Sequence, residues 1–310
     1  MNGTALPERI LLFFVDGLGW PPEPLAESRY AALPALRRLL DHHAVPLDAC
    51  LGMPGLPQSA TGQTAIFTGL NAARQVGRHV EGFPNTELRG LIAAHSIFRR
   101  LRAAGRTCTF ANAYVRGPGA SLPLAHRSVT TVMTCEALGV TRQRAELDAG
   151  RAVFHDLTRA SAPKIGVDDL PVIREETAAE HLLNTLREVD FCLFEYFLTA
   201  HAGHRGDLDW QRAVLLSVDR FLAALMAGLD CGRELFLLVS DHGNIESHTD
   251  HHHTANPVPW IAFGCAEELA RRNCRSLTDV TPRILALLGV GESPDRKNGP
   301  EGLSSPPIRG

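Results

Sequence analysis

"ELFLLVSDHGNIESHTDHHHTANPVPWIAF", residues 234–263, decides how this chain is read. Its two apolar ends, "ELFLLVS" (234–240) and "VPWIAF" (258–263), are too short for typical helices and read as strands buried on both faces. Between them the chain packs two Asp, one Glu and five His into residues 240–260. Side chains with oxygen and imidazole donors therefore gather directly after a core strand.

Working outward, the same short apolar signature recurs at "ILLFFV" (10–15), "TCTFAN" (107–112) and "DFCLFEYF" (190–197). Longer stretches with helical spacing lie at 88–104, 175–189, 208–229 and 279–289, the last opening with Thr278 or Asp279 as a capping residue. Strands alternating with helices predict an α/β fold built on a mainly parallel sheet with helices on both faces. Residues 113–180, with "RGPGASLP" and "SAPKIGVDDLP", break the rhythm and predict a small inserted cap. That leaves a discontinuous core of residues 1–112 and 181–290, and a Pro/Gly/Ser-rich tail over 291–310 expected to be flexible.

Composition narrows the function. With 310 residues the chain can bury one large core with an insertion or, equally, two smaller cores. A formal charge of −3, with Lys164 and Lys297 the only lysines and arginine spread along the chain, gives no basic stripe for a nucleic acid or a membrane surface. Seven cysteines without a CxxC pair argue against a disulfide framework and a cysteine zinc site, and so favour a reducing, cytoplasmic setting. "MNGTALPERILLFFVDGLGW" lacks a basic leader, and its apolar run falls far short of the roughly twenty residues that span a bilayer. A soluble protein is expected.

In open parallel sheets, functional groups collect beyond the carboxyl ends of the strands. Here "ILLFFV" runs into Asp16-Gly17, "ELFLLVS" into Asp241-His242-Gly243, and "DFCLFEYF" leads through "LTAHA" to Gly203-His204. One Asp-Gly after a strand is an ordinary turn, and a His-rich loop alone is commonly an exposed one. Three such strand ends together offer the donors that Zn²⁺ or Mn²⁺ takes. A second stretch, "GLPQSATGQTAIFTGL" (55–70), delivers Ser59 to the first turn of a helix. A hydroxyl there faces unpaired N–H groups and the positive end of the helix dipole, which suits a phosphate and a metal-activated nucleophile. On the local sequence alone a plain N-cap is the more common reading of Ser59.

The ordered pieces "FFVDGLG", "SATGQTAIFTG", "AGHRGD", "SDHGN" and "HTANPVP", between residues 11 and 260, resemble the alkaline phosphatase superfamily, and more closely its branch of cofactor-independent phosphoglycerate mutases and phosphopentomutases. "LTDVTPRILALLG" (277–289) is similar to the family's closing helix. The resemblance implies two divalent metal ions, Mn²⁺ or Zn²⁺, and a small phosphorylated metabolite as substrate. Asp16, Asp241 and His242 would hold one metal, His204 and His253 the other. Ser59 would be the catalytic nucleophile, itself metal-bound, passing through a phosphoserine. Gln63 stands where the mutases tend to have His. The family also places an Asp four or five residues before the position of His204, where this chain has Ala200 and Thr199. His201, Glu195 or a residue of "ESHTDHH" could replace it, or the second site could be weak, absent or inactive. Ser59 is followed by Ala-Thr-Gly, unlike the Pro-Ser-Arg of a sulfatase. The short insertion at 113–180 favours a hydrolase over a mutase, because a mutase must hold its intermediate away from water. A metal- or phosphometabolite-binding protein without turnover is the alternative of another class.

Overall fold

The computed structural model describes residues 5–205, 207–247 and 251–291. The tail expected over 291–310 lies outside them except for Gly291, as do residues 248–250 of the histidine-rich segment. Six strands form one sheet: β1 (Arg9–Val15), β2 (Ala44–Leu47), β3 (Cys108–Phe110), β4 (Phe191–Tyr196), β5 (Glu234–Val239) and β6 (Val258–Gly264), in the spatial order β2-β6-β5-β1-β4-β3. β3, β4, β1 and β5 run parallel, and β6 is antiparallel to both of its neighbours. This is the expected α/β architecture with a mixed, mostly parallel sheet.

β1 shows why its sequence is apolar without alternation. Side chains of successive strand residues point to opposite faces, so a strand covered on both sides needs apolar residues at every position. Ile10, Leu12 and Phe14 enter one apolar cluster, together with Phe67, Phe98 and Ile284. Leu11, Phe13 and Val15 enter the other, with Leu182, Phe194 and Phe221. The helices Ser59–Thr68, Thr86–His95, Ile97–Ala103, Val129–Leu138 and Val280–Leu287 supply buried residues to the first face; Pro34–His42, Glu175–Leu186 and Leu208–Gly228 supply the second.

Two elements differ from the sequence reading. The helical spacing over 88–104 belongs to two helices, because Ser96 turns out of the helix at ψ 147°. Its N–H closes the first helix on the Ile92 carbonyl, and its own carbonyl accepts from the Arg100 N–H of the second. β2 was not expected: it has four residues, includes Pro46, and its first three positions are incompletely buried, so it carries little strand signal. Within residues 113–180, Leu147, Ala152, Phe154, Ala162 and Leu170 gather a separate apolar cluster, while Val129, Val132 and Met133 of the helix Val129–Leu138 join the main core.

Because β6 returns antiparallel beside β5, with Val239 opposite Trp260, the loop 240–257 leaves and re-enters the sheet at the same edge. That edge also carries the carboxyl ends of β1 and β4, so the chain segments holding Asp16, His204, Asp241, His242 and His253 meet there.

Candidate metal centre

Among the described residues, Asp16, Asp241 and His242 bring their ligand atoms within 4.8 Å of one another. His242 Nε2 lies 3.2 Å from Asp16 Oδ1 and 3.7 Å from Asp241 Oδ2. Asp241 and His242 are fully buried. Burial and the charge of Asp16 push the Asp241 carboxyl up. Burial opposes a charge on His242, but Asp241 and Asp16 outweigh it and push the imidazole up. Negative charge concentrated in a dry place and balanced by a proton on one ring is the situation a divalent cation resolves, and two carboxylates with one imidazole suit Zn²⁺ or Mn²⁺. The residues present therefore fit a metal.

The helix Ser59–Thr68 packs its N-terminus into this group. Gln58 is the N-cap, without a side-chain capping bond, so Ser59 is not the capping residue that its local sequence allowed. Its Oγ lies 3.0 Å from His242 Nε2 instead. One turn further, Gln63 Nε2 donates to Asp241 Oδ2 at 3.1 Å and to Asp16 Oδ2 at 3.4 Å, orienting both carboxylates. Gly62 makes the approach possible: a Cβ there would sit 2.9 Å from the Asp241 carbonyl oxygen and 3.0 Å from its Cβ.

His204 and His253 meet beside this group, with Nε2 atoms 3.1 Å apart. His204 Nδ1 lies 2.8 Å from the His251 carbonyl, and His253 Nδ1 2.8 Å from that of Pro57. Carbonyls only accept, so each Nδ1 carries a hydrogen, and in that tautomer each Nε2 turns its lone pair toward the other. Two facing lone pairs require a shared proton or a cation, and Nδ1–H to carbonyl is the usual outer contact of a metal-bound histidine. Burial, then the neighbouring His242, pushes His253 down to about 4, which keeps its ring neutral. The His253 ring stacks on His242 with centroids 3.6 Å apart.

The remaining sequence candidates sit differently. Ala200 lines the cavity, and the Thr199 hydroxyl donates to the Asp16 carbonyl, so neither position supplies a carboxylate. His201 lines the same cavity with its ring 5.1 Å from that of Phe197, outside the Asp16–Asp241–His242 group. Glu195 is buried, and its Oε2 accepts from Thr130 Oγ1 at 2.7 Å. Burial pushes Glu195 up to about 8.

Glu246 has a role that was not visible in the sequence. Buried beneath the loop, it accepts from the Gly19 N–H (3.1 Å), the Asn244 N–H (2.7 Å), Asn256 Nδ2 (3.0 Å) and Thr254 Oγ1. Thr254 and Asn256 of "HTANPVP" thus serve the loop's frame. The only signal was a single acid among histidines, which resembled one more ligand.

A mostly parallel sheet with a buried group of two carboxylates and an imidazole at its carboxyl edge defines an α/β protein suited to a divalent metal. The chain belongs to the Metalloenzyme superfamily, whose family model matches residues 8–292. It is 32% identical over 152 residues to a 2,3-bisphosphoglycerate-independent phosphoglycerate mutase of Agrobacterium fabrum, covering 46% of this chain and 30% of that protein. A protein of the same name from Desulforudis audaxviator is 32% identical over 143 residues, covering 43% and 28%. The matched region is thus less than a third of those relatives' length. Among solved structures, the Thermus thermophilus alkaline phosphatase superposes with a TM-score of 0.58 at 13% identity, covering 94% of each chain. The alkaline phosphatase of the Antarctic bacterium TAB5 gives 0.55 at 12% identity, covering 93% of this chain and all of that one. These likenesses establish an alkaline-phosphatase-like fold.

Proposed function

We propose that this chain is a metal-dependent phosphoryl-transfer enzyme that hydrolyses a small phosphomonoester through a phosphoserine at Ser59. The observation that carries the reading is the position of Ser59 Oγ, 3.0 Å from His242 Nε2 and released from capping duty. Asp16, Asp241 and His242 would hold one divalent ion and His204 and His253 a second. Bound there, Mn²⁺ or Zn²⁺ neutralises phosphoryl oxygens and lowers the pKa of the serine hydroxyl. The chain's own residues do the rest. The helix Ser59–Thr68 places Ser59 Oγ beside the ligand group and turns its positive end toward the phosphoryl group, and Gln63 fixes the two carboxylates. Ser59 Oγ forms a bond to phosphorus as the ester P–O bond breaks, and the serine proton ends on the departing oxygen, which leaves as the alcohol. Water then cleaves the phosphoserine and restores the hydroxyl.

The names of the relatives favour a second reading, in which the phosphoryl group returns to another hydroxyl of the same substrate. Hydrolysis is preferred because the insertion is short and a mutase must exclude water. With added Mn²⁺ or Zn²⁺, release of inorganic phosphate from a panel of phosphomonoesters supports the hydrolase, and an isomerised ester without release supports the mutase. Ser59→Ala should reduce turnover to below about one-thousandth while metal content holds. Turnover within a few-fold of the parent would overturn the nucleophile assignment. Metal binding without turnover of any ester would leave a binding protein.

A further inference from the structure

We infer that the substrate's organic part is aromatic and poor in hydroxyl groups, so that the site takes phosphate esters of aromatic alcohols ahead of those of hydroxy acids and sugars. This rests on the phosphoryl-transfer reading and adds the identity of the group that leaves.

Asp16, Ser59, His204 and His253 open into a cavity of about 600 Å³, far more than a phosphate needs. Phe83, Phe110, Tyr114, Phe154 and Phe197 also line it. Two of these rings, with two lining histidines, form a continuous run. Phe154 lies 4.2 Å from His155; His155 stacks on Phe197 at 5.4 Å and 12°; Phe197 lies 5.1 Å from His201. Flat faces held by their neighbours are a surface onto which another ring packs.

Apart from His126 and His201, most polar side chains in the wall away from the metal ligands are already committed. Asn112 Oδ1 accepts from the Glu195 N–H and its Nδ2 donates to the Glu195 carbonyl, both at 2.8 Å. The Tyr114 hydroxyl is 2.7 Å from Thr131 Oγ1, which lies 3.0 Å from Ser128 Oγ. Ser121 Oγ donates to the Pro118 carbonyl at 2.7 Å, and His155 Nε2 lies 3.2 Å from Ser161 Oγ. A sugar or glycerate entering this space would lose water from its hydroxyls and find few free partners, and unpaired buried polar groups are costly. Among the described residues, Arg116 is the one lysine or arginine in the lining; it is exposed to solvent and shares the lining with Glu81, so it is a weak anchor for a substrate carboxylate. An aromatic group instead gains the whole wall.

The test compares benzyl phosphate with glycerol 3-phosphate and 3-phosphoglycerate on the metal-supplemented full chain. All three are esters of ordinary alcohols, so leaving-group acidity does not decide the result. The expected kcat/KM for benzyl phosphate is at least about tenfold the higher of the other two. Phe197→Ala should lower that value by a larger factor than it lowers the value for glycerol 3-phosphate, mostly through KM. Phe83→Ala, at a side chain 49% exposed, should do the same and decides the matter if the Phe197 variant does not fold. Equal or better use of glycerol 3-phosphate or 3-phosphoglycerate would overturn the inference and leave phosphoryl transfer standing, as would an unchanged ratio in the folded variants. Absence of phosphate release and of isomerisation with every ester would sink the phosphoryl-transfer reading, and this inference with it.

Discussion

Ala200 is the residue at which this chain departs most from the pattern it resembles. It lines the cavity beside the facing nitrogens of His204 and His253, so a carboxylate introduced there would add a hard ligand and a negative charge next to a cation. Ala200→Asp should therefore tighten a second equivalent of Mn²⁺ or Zn²⁺, read by isothermal titration; a curve identical to the parent's would place the weak centre elsewhere. Glu195 makes a different prediction. Burial raises its carboxyl from 4.5 to about 8, so the folded protein retains a proton that the unfolded chain releases near 4.5. The stability tied to that proton is fully present below 4.5 and is lost as pH rises through about 8. Chelator-treated protein should lose resistance to urea between those values, and Glu195→Gln, which keeps an acceptor for Thr130, should flatten the decline. An equal decline in both proteins would show that the carboxyl is not the source.

At the level of elements, the loop 240–257 is held by one buried acid. Glu246 takes hydrogen bonds from residues on the β1 side and on both arms of the loop. Glu246→Ala would leave these buried donors without their acceptor, at about 1–3 kcal/mol for each one that water does not reach. We expect several kcal/mol of lost stability in denaturant titration and weaker metal binding, because Asp241, His242 and His253 all ride on this loop. The sequence made much of this element legible. Uninterrupted apolar runs marked β1, β4, β5 and β6, and the polar residues immediately past them marked the edge where the ligands gather. Other features depended on contacts distant in sequence. Ser96 breaks a helix whose spacing looked continuous, and β2 exists because β6 offers it an edge. Glu246 became a brace only once Gly19, Asn244, Thr254 and Asn256 surrounded it. Ser59 was ambiguous for the same reason: whether a hydroxyl caps its own helix or meets an imidazole 183 positions away is decided by tertiary packing.

For the molecule as a whole, metal and fold should be linked. The candidate ligands come from the end of β1, the helix after β4 and the loop between β5 and β6, so an ion bound there holds together segments that unfolding would separate. At about a hundredfold excess over Kd, such binding adds about 2.7 kcal/mol, and chelation should lower Tm by on the order of 5 °C in differential scanning calorimetry. Asp241→Asn should shrink that difference, and a chelator-insensitive parent would argue against a bound ion. The sheet also ends abruptly on both sides. One margin is the four-residue β2, in which exposed Pro46 stands opposite Pro259; the other is the three-residue β3. A proline offers no backbone donor, and three or four residues give an incoming strand little length to grip. Neither margin is a template for strand exchange or fibrillar stacking. Among the described residues, self-association is therefore expected to engage helices and loops ahead of the sheet margins.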